Sequence, residues 1–393
     1  YLIVKEMYNK RLALLVALFT SVFWVILFNT VRLHADVPLL FFSYLAILFF
    51  WKGYIKKEKN YYIWLTGIFM ALGFLTKLTG TLFGIIIFVF LIIIDKLKFL
   101  KNKHLWIALI LLFLLLLPYF IWQNNIYNNP LAFFAGSHVT SDPGGITSYR
   151  PIGWHVLNFL PWMLHTPMFI LFLMGLTSIY TLILSLDLII KNKSNEYYND
   201  LFILIWVLIT LAYFVFLERD AEDRWLLPIA LPLLVLVGKG LYFVYDQIKK
   251  YQKHVAITIF VILILLGSYF QLARADEIIN AKKDSYKEVK EASLWIKENS
   301  DPEDIIFSKS VTQMTYYARR EVTGFGENET EFKQKVKGYK PKYIIFSIFE
   351  PHGKTLEYPQ LFNNSLIPAQ AYTSSYDKNK YTLVIYEFKN YDL

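Results

Sequence analysis

Long apolar runs separated by short polar connectors organise this chain. Apolar segments recur at about residues 12–29, 38–51, 62–76, 81–94, 105–121, 167–190, 201–217, 225–244 and 254–272. With its flanks, each predicts a helix that crosses a bilayer. Several fall short of the roughly 20 residues of a perpendicular crossing, which predicts tilt or snorkelling ends. After Gln271 the pattern changes. Amphipathic helices at 288–299, 311–319 and 329–337 alternate with strands at 304–308, 342–348 and 381–388, as in a small α/β domain. The expected fold class is an α-helical polytopic membrane protein with about nine transmembrane helices over residues 1–272 and a soluble C-terminal α/β domain over 273–393. About 120 residues suffice for one such core.

Composition narrows the class. Of 393 residues, 56% are hydrophobic and only 18% charged, which excludes an ordinary soluble domain and a disordered chain alike. The net charge of +9 sits in short loops between apolar runs instead of along one stripe, so it predicts topology and not nucleic-acid binding. There is no cysteine, hence no disulfide and no thiolate chemistry.

Those loops set the orientation, because short basic loops stay in the cytoplasm. Lys5, Lys10 and Arg11, then Lys52, Lys56, Lys57 and Lys59, then Lys96, Lys98, Lys101 and Lys103, then Lys191 and Lys193, and finally Lys249, Lys250 and Lys253 all fall on one side when nine helices are threaded alternately. The opposite loops carry only Arg32, Lys77, Arg150, Arg219 and Arg224. This threading predicts a multi-pass protein of the cell membrane with residues 32–38, the long loop 122–166 and the C-terminal domain outside the cytoplasm. Within the loop, Trp154, Phe159, Trp162 and Met163 share one face of a helix resting in the interface, either as a belt anchor or as a binding surface.

Chemistry has to come from the few polar residues on the outer side. Charges so near hydrocarbon are expensive unless they face water, a partner or a substrate. Asp36 is the sole carboxylate in its turn, and Arg32 stands four residues earlier, so a helical turn would let the two neutralise each other. His34, between them, has no second ligand at metal spacing and reads as a surface residue; no metal site is expected. Lys77 lies between two apolar runs and suits either a bound phosphate or a snorkelling helix end. Arg224 abuts the membrane, placed to grip an anionic headgroup or to anchor its helix. In the terminal domain, 324–326 lacks the flanks of a phosphate-binding glycine loop, and Tyr316, Tyr317, Arg319 and Arg320 read as a solvated helix face as readily as a carbohydrate surface.

The runs 32–38 (RLHADVP), 73–77 (GFLTK) and 224–228 (RWLLP) resemble the membrane glycosyltransferases of the type-C fold, in the group of protein O-mannosyltransferases and lipid A aminoarabinose transferases. The resemblance spans the membrane region, and the order of basic inner loops, long outer loop and terminal outer domain matches. It implies transfer of a sugar from a polyprenyl (dolichyl or undecaprenyl) phosphate carrier to a protein, lipid or glycan acceptor at the outer membrane face. In that group an acidic residue of the first outer loop acts as base, a second acidic residue sits where Asp36 stands, and basic residues hold the lipid phosphate. Carried onto this chain, the resemblance implies a catalytic Asp36 and donor-phosphate binding by Arg32, Lys77 and Arg224, with no certain cofactor.

One departure is expected to matter. Residues 1–11 look like the inner loop that follows the group's second helix, so the first outer loop and its base are expected upstream of Tyr1, leaving the chain as it stands short of its principal carboxylate. Two other readings stay open. A lipid or solute transporter would favour broken helices with polar groups near the midplane and paired halves; a noncatalytic scaffold would use the outer domain to recruit a partner.

Overall fold

The computed structural model describes the chain except residues 33, 133–152, 185–196, 219–222, 327, 351–352, 374–379 and 392–393. It divides into two compact units, Tyr1–Ile279 and Asn280–Leu393. Arg150, Lys191, Lys193, Arg219 and much of the loop 122–166 lie outside the described residues.

The first unit is a helical bundle. Its helices are α1 (Leu2–Met7), α2 (Lys10–Val22), α3 (Trp24–Thr30), α4 (Asp36–Phe50), α5 (Asn60–Thr76), α6 (Thr81–Asp95) and α7 (Lys103–Tyr127), followed by α8 (Leu160–Leu184), α9 (Tyr198–Ala212), α10 (Ala230–Lys249) and α11 (Lys253–Lys282). Among the described residues seven helices are long and apolar enough to cross a membrane, or eight if α2 and α3 count as one bent span. The chain is a multi-pass membrane protein. Helix α5, of 17 residues, is the shorter apolar helix over the segment predicted at 62–76.

Helix α10 is buried nearly all round and forms the middle of the bundle, with Leu233, Leu234, Val235 and Val237 fully covered. By contrast α7 turns Ile110, Phe113, Leu114 and Leu117 outward. A helix apolar on its exposed side needs hydrocarbon around it. Between α8 and α10 the backbones touch: a methyl on Gly240 would lie 1.8 Å from the Leu171 carbonyl oxygen, and one on Gly175 would lie 2.0 Å from that of Leu236. Small residues at such crossings are how membrane helices approach closely.

Two of these helices are broken, the first where periodicity predicts continuity and the second at the boundary between the expected interfacial stretch and the segment predicted at 167–190. The predicted segment 12–29 bends by 56° at Phe23, which is extended (φ −67°, ψ 114°). In α8 the backbone breaks at His165 (φ 57°, ψ 158°), a conformation that residues with a β-carbon rarely adopt. Both breaks free backbone groups inside the core, and Gln271 of α11, fully buried, takes them up. Its Oε1 accepts from the Trp24 amide at 3.1 Å, and its Nε2 donates to the carbonyls of Met163 at 3.3 Å and Leu164 at 2.9 Å. The Trp24 indole adds a bond to the Met163 carbonyl at 2.9 Å. The stretch expected as a separate interfacial helix runs through a π-helical turn (His155–Phe159) straight into α8, with Phe159 and Met163 buried.

The second unit carries helices α12 (Lys287–Asn299), α13 (Val311–Ala318), α14 (Glu329–Tyr339) and α15 (Tyr358–Leu361). Its strands are β1 (Ile305–Phe307), β2 (Glu321–Thr323), β3 (Tyr343–Ser347), β4 (Leu366–Thr373) and β5 (Tyr381–Phe388). They form one sheet in the order β2-β1-β3-β5-β4, parallel on the β2-β1-β3 side and antiparallel across β3-β5-β4. Three strands and three helices fall where the pattern predicts them. Strands β2 and β4 were not predicted: β2 has three residues, and β4 is an edge strand that holds Pro368 and faces outward along most of its length. Arg320 is committed to structure, since its guanidinium caps the end of α12 through the carbonyls of Lys297 and Ser300 at 2.9 and 2.6 Å.

Candidate active site

Asp36 is the first residue of α4, where a negative charge suits the positive end of the helix dipole and where Pro38 fits because the first amides have no intrahelical acceptor. The side chain is not displayed to solvent: Asp36 is only 4% exposed. Its partner is Lys77. At the end of α5 the backbone leaves the helix in an extended conformation at Lys77 (φ −161°, ψ 140°), then makes one 3-10 turn (Leu78–Gly80) before α6. That turn folds tightly back on α5, since a β-carbon at Gly80 would lie 2.7 Å from the Gly73 carbonyl carbon. The result throws Lys77 toward α4, where its Nζ donates to Asp36 Oδ1 at 2.6 Å.

Arg224 arrives from a third direction. It sits in a 3-10 segment (Asp223–Ile229) that packs on α3, α4 and α9, and the fully buried Trp206 of α9 pins that segment by donating to the Pro228 carbonyl at 2.8 Å. The Arg224 guanidinium lies 3.2 Å from His34 Nδ1. Arginine can only donate, so Nδ1 is the acceptor and the imidazole is neutral with its proton on Nε2. That Nε2 is buried and meets no partner among the described residues. Burial, then the charges of Arg32 and Arg224, push the His34 pKa below its ordinary value, while Asp36 pulls the other way. With the smaller effect of Lys77, His34 therefore feels four charged groups that the sequence scatters over three regions. Arg32 is exposed and stacks its guanidinium on the Phe28 ring, 4.7 Å from the centroid.

Thus Asp36 and Lys77 are joined directly, Arg224 is joined to His34, and Arg32 stands at the edge of the same group. The mutual neutralisation of Arg32 and Asp36 does not form, because α3 stops at Thr30 and α4 starts at Asp36, leaving no helical turn to align them. His34 was read as a surface residue, and the structure half-buries it between cations. The available signal was its position between Arg32 and Asp36 in a connector of only a few residues. Among the described residues no three His, Asp or Glu side chains are grouped to hold a metal ion.

Comparison with known proteins follows the same lines. Residues 1–122 match the family model for dolichyl-phosphate-mannose-protein mannosyltransferase, a stretch that holds Asp36 and Lys77 but not Arg224. No curated protein matches the chain. Among solved structures, ArnT from Cupriavidus metallidurans in the apo state superposes with a TM-score of 0.65 at 11% identity, over 98% of this chain and 80% of that one. The same protein bound to undecaprenyl phosphate gives a TM-score of 0.62 at 12% identity, over 98% and 80%. The Archaeoglobus fulgidus oligosaccharyltransferase, tethered with an acceptor peptide containing the NVT sequon, gives 0.62 at 15% identity over 100% of this chain. This chain spans 61% of the length of that oligosaccharyltransferase. On this likeness, over nearly the whole of its length, the chain has the type-C fold of the membrane glycosyltransferases.

Proposed function

We propose that the protein transfers a sugar from a polyprenyl-phosphate carrier to a protein, lipid or glycan acceptor at the outer membrane face, where the terminal α/β unit also lies. The observation that carries this reading is the pairing of Lys77 with the buried carboxylate of Asp36, and of Arg224 with His34 two residues before it, at the end of a membrane-crossing helix. A carrier lipid needs a phosphate site reachable from hydrocarbon, and cations that leave helix ends at bilayer level supply one.

In the proposed reaction the bond between the anomeric carbon and the phosphate oxygen breaks, its electron pair leaving with the polyprenyl phosphate. The acceptor's nucleophilic atom bonds to the opposite face of that carbon, and its proton passes to a carboxylate base, for which the candidate within these residues is the Asp36 oxygen that Lys77 does not hold. Lys77, Arg224 and Arg32 offset the charge of the departing phosphate, and His34 offers it the Nε2 proton. The resemblance to ArnT bound to undecaprenyl phosphate, and to the archaeal oligosaccharyltransferase AglB in complex with dolichol-phosphate, supports a lipid-linked donor.

The test is transfer of labelled sugar from a polyprenyl-phosphate donor by the complete gene product, purified and placed in liposomes. Asp36→Asn and Arg224→Ala should each lower the rate by about a hundredfold or more, the usual scale for losing a general base or an electrostatic clamp. Transfer that survives both substitutions overturns the assignment.

A further inference from the structure

Some distance from Asp36, at the other end of α10, the bundle carries a second polar feature, open to its surroundings. Arg224 precedes α10 and Lys249 closes it, and the 20 residues of that helix span about 30 Å at 1.5 Å rise per residue. A cavity of about 1010 Å³ opens there between the starts of α2, the later part of α8 and the last turns of α10. Lys10, Arg11 and Lys249 line it, opposed by a single lining carboxylate, Asp246. Lys239 also lines it, but its charge is already answered: it and the Tyr8 hydroxyl both donate to Oδ1 of Asp200, the hydroxyl at 2.6 Å. Among the described residues no carboxylate stands at salt-bridge distance from Lys10, Arg11 or Lys249. Phe243, 40% exposed, adds an apolar surface beside them.

We propose that this cavity binds the headgroup of an anionic phospholipid from the adjacent leaflet. Three observations converge. The unanswered cations line one open cavity, and a phosphate diester is the common anion at that depth. The walls are helices of the bundle, so a ligand with acyl chains can lay them along apolar helix surface. The cavity also lies at the end where the short basic loops gather, with Lys56 paired to Glu6 nearby in α1, and this is the side on which anionic lipids are enriched. The proposal stands apart from sugar transfer and survives its failure.

The experiment uses the purified chain in phosphatidylcholine nanodiscs containing phosphatidylglycerol, with retained lipid counted by native mass spectrometry. Phosphatidylglycerol should be retained over phosphatidylcholine, and retention should drop about fivefold for each cationic charge removed. Lys10→Gln with Arg11→Gln, and separately Lys249→Gln, remove the charges; Arg11→Lys keeps one and should retain the lipid. Lys101→Gln, a basic residue of the neighbouring connector outside the cavity, should change nothing. Equal retention of the two lipids, or an equal fall in Lys101→Gln, overturns the proposal. So does displacement of the lipid by millimolar inorganic phosphate, which would mean that the cavity takes the free anion. If the double variant fails to fold by circular dichroism, Lys249→Gln alone decides.

Discussion

Lys77 reaches from the end of α5 to the first residue of α4 and sets its amine 2.6 Å from a carboxylate 41 positions away in sequence. Asp36 is nearly sealed while the lysine keeps 30% of its side chain exposed, so the lysine offers the open side of the pair. Removing one member of a buried pair strands the other. Lys77→Met should destabilise the protein by about 3 kcal/mol, the lower part of the range for buried pairs because the amine is partly wet. Asp36→Asn with Lys77→Met should recover part of that loss, read as thermal unfolding in detergent. Additive losses would mean that the two do not act as a pair.

The neutral state of His34 gives a pH dependence of known sign. Its folded pKa lies below the ordinary 6.5, so as pH falls through 6.5 the unfolded chain takes up the proton first and stability declines. Above 6.5 the group is neutral in both states and contributes no slope. His34→Gln keeps an acceptor for Arg224 without a titrating ring. The variant should lose less unfolding temperature than the natural chain between pH 7.5 and 5.5. Parallel curves would show that His34 does not titrate in this window.

Gln271 holds two helix breaks with one side chain. In Gln271→Leu the Trp24 amide and the Leu164 carbonyl lose their partners inside the core, while the Met163 carbonyl keeps the Trp24 indole. Each stranded group costs about 1–3 kcal/mol, so a loss of at least 2 kcal/mol is expected. Gln123 is also buried but among the described residues bonds only the Tyr119 hydroxyl, at 3.1 Å, and Gln123→Leu should cost less than half as much. Similar losses in the two variants would remove the special role of Gln271.

The crossing of α8 and α10 depends on absent side chains. Gly240→Ala sets a methyl into the Leu171 carbonyl and has to move backbone, so it should lower the unfolding temperature sharply. Gly338 of α14 has open space around its added methyl, and Gly338→Ala should be neutral or stabilise by up to about 1 kcal/mol. An unperturbed Gly240→Ala protein would show that the helices do not approach so closely.

Much of this architecture was legible in the sequence, and the exceptions share a cause. Apolar runs located the bundle helices, because hydrocarbon demands a long uninterrupted stretch and leaves little room for ambiguity. Periodicity does not register a break that another helix repairs, so the bend at Phe23 was hidden until Gln271 was seen beside it, whereas the kink at His165 falls just before the segment predicted at 167–190. In the terminal unit β5 was plain from its β-branched and aromatic residues, whereas β4, with Pro368, Ala369, Gln370 and Ala371, has almost no strand signal and forms by pairing with β5. Asp36, Lys77 and Arg224 stood out as charges in apolar surroundings. Their partners did not, since local sequence offered Arg32 to Asp36 and gave His34 nothing at all. Which charge meets which is decided by chain ends brought together from α3, α5 and the segment before α10.

The most direct measurement is equilibrium binding of a labelled polyprenyl phosphate to the purified chain in nanodiscs, which needs no turnover. Saturable binding is expected, weakened about tenfold or more by Lys77→Ala and by Arg224→Ala and unaffected by Lys101→Gln, as for two charge-assisted contacts to one phosphate. Absence of saturable binding, or binding indifferent to Lys77 and Arg224, would contradict the account.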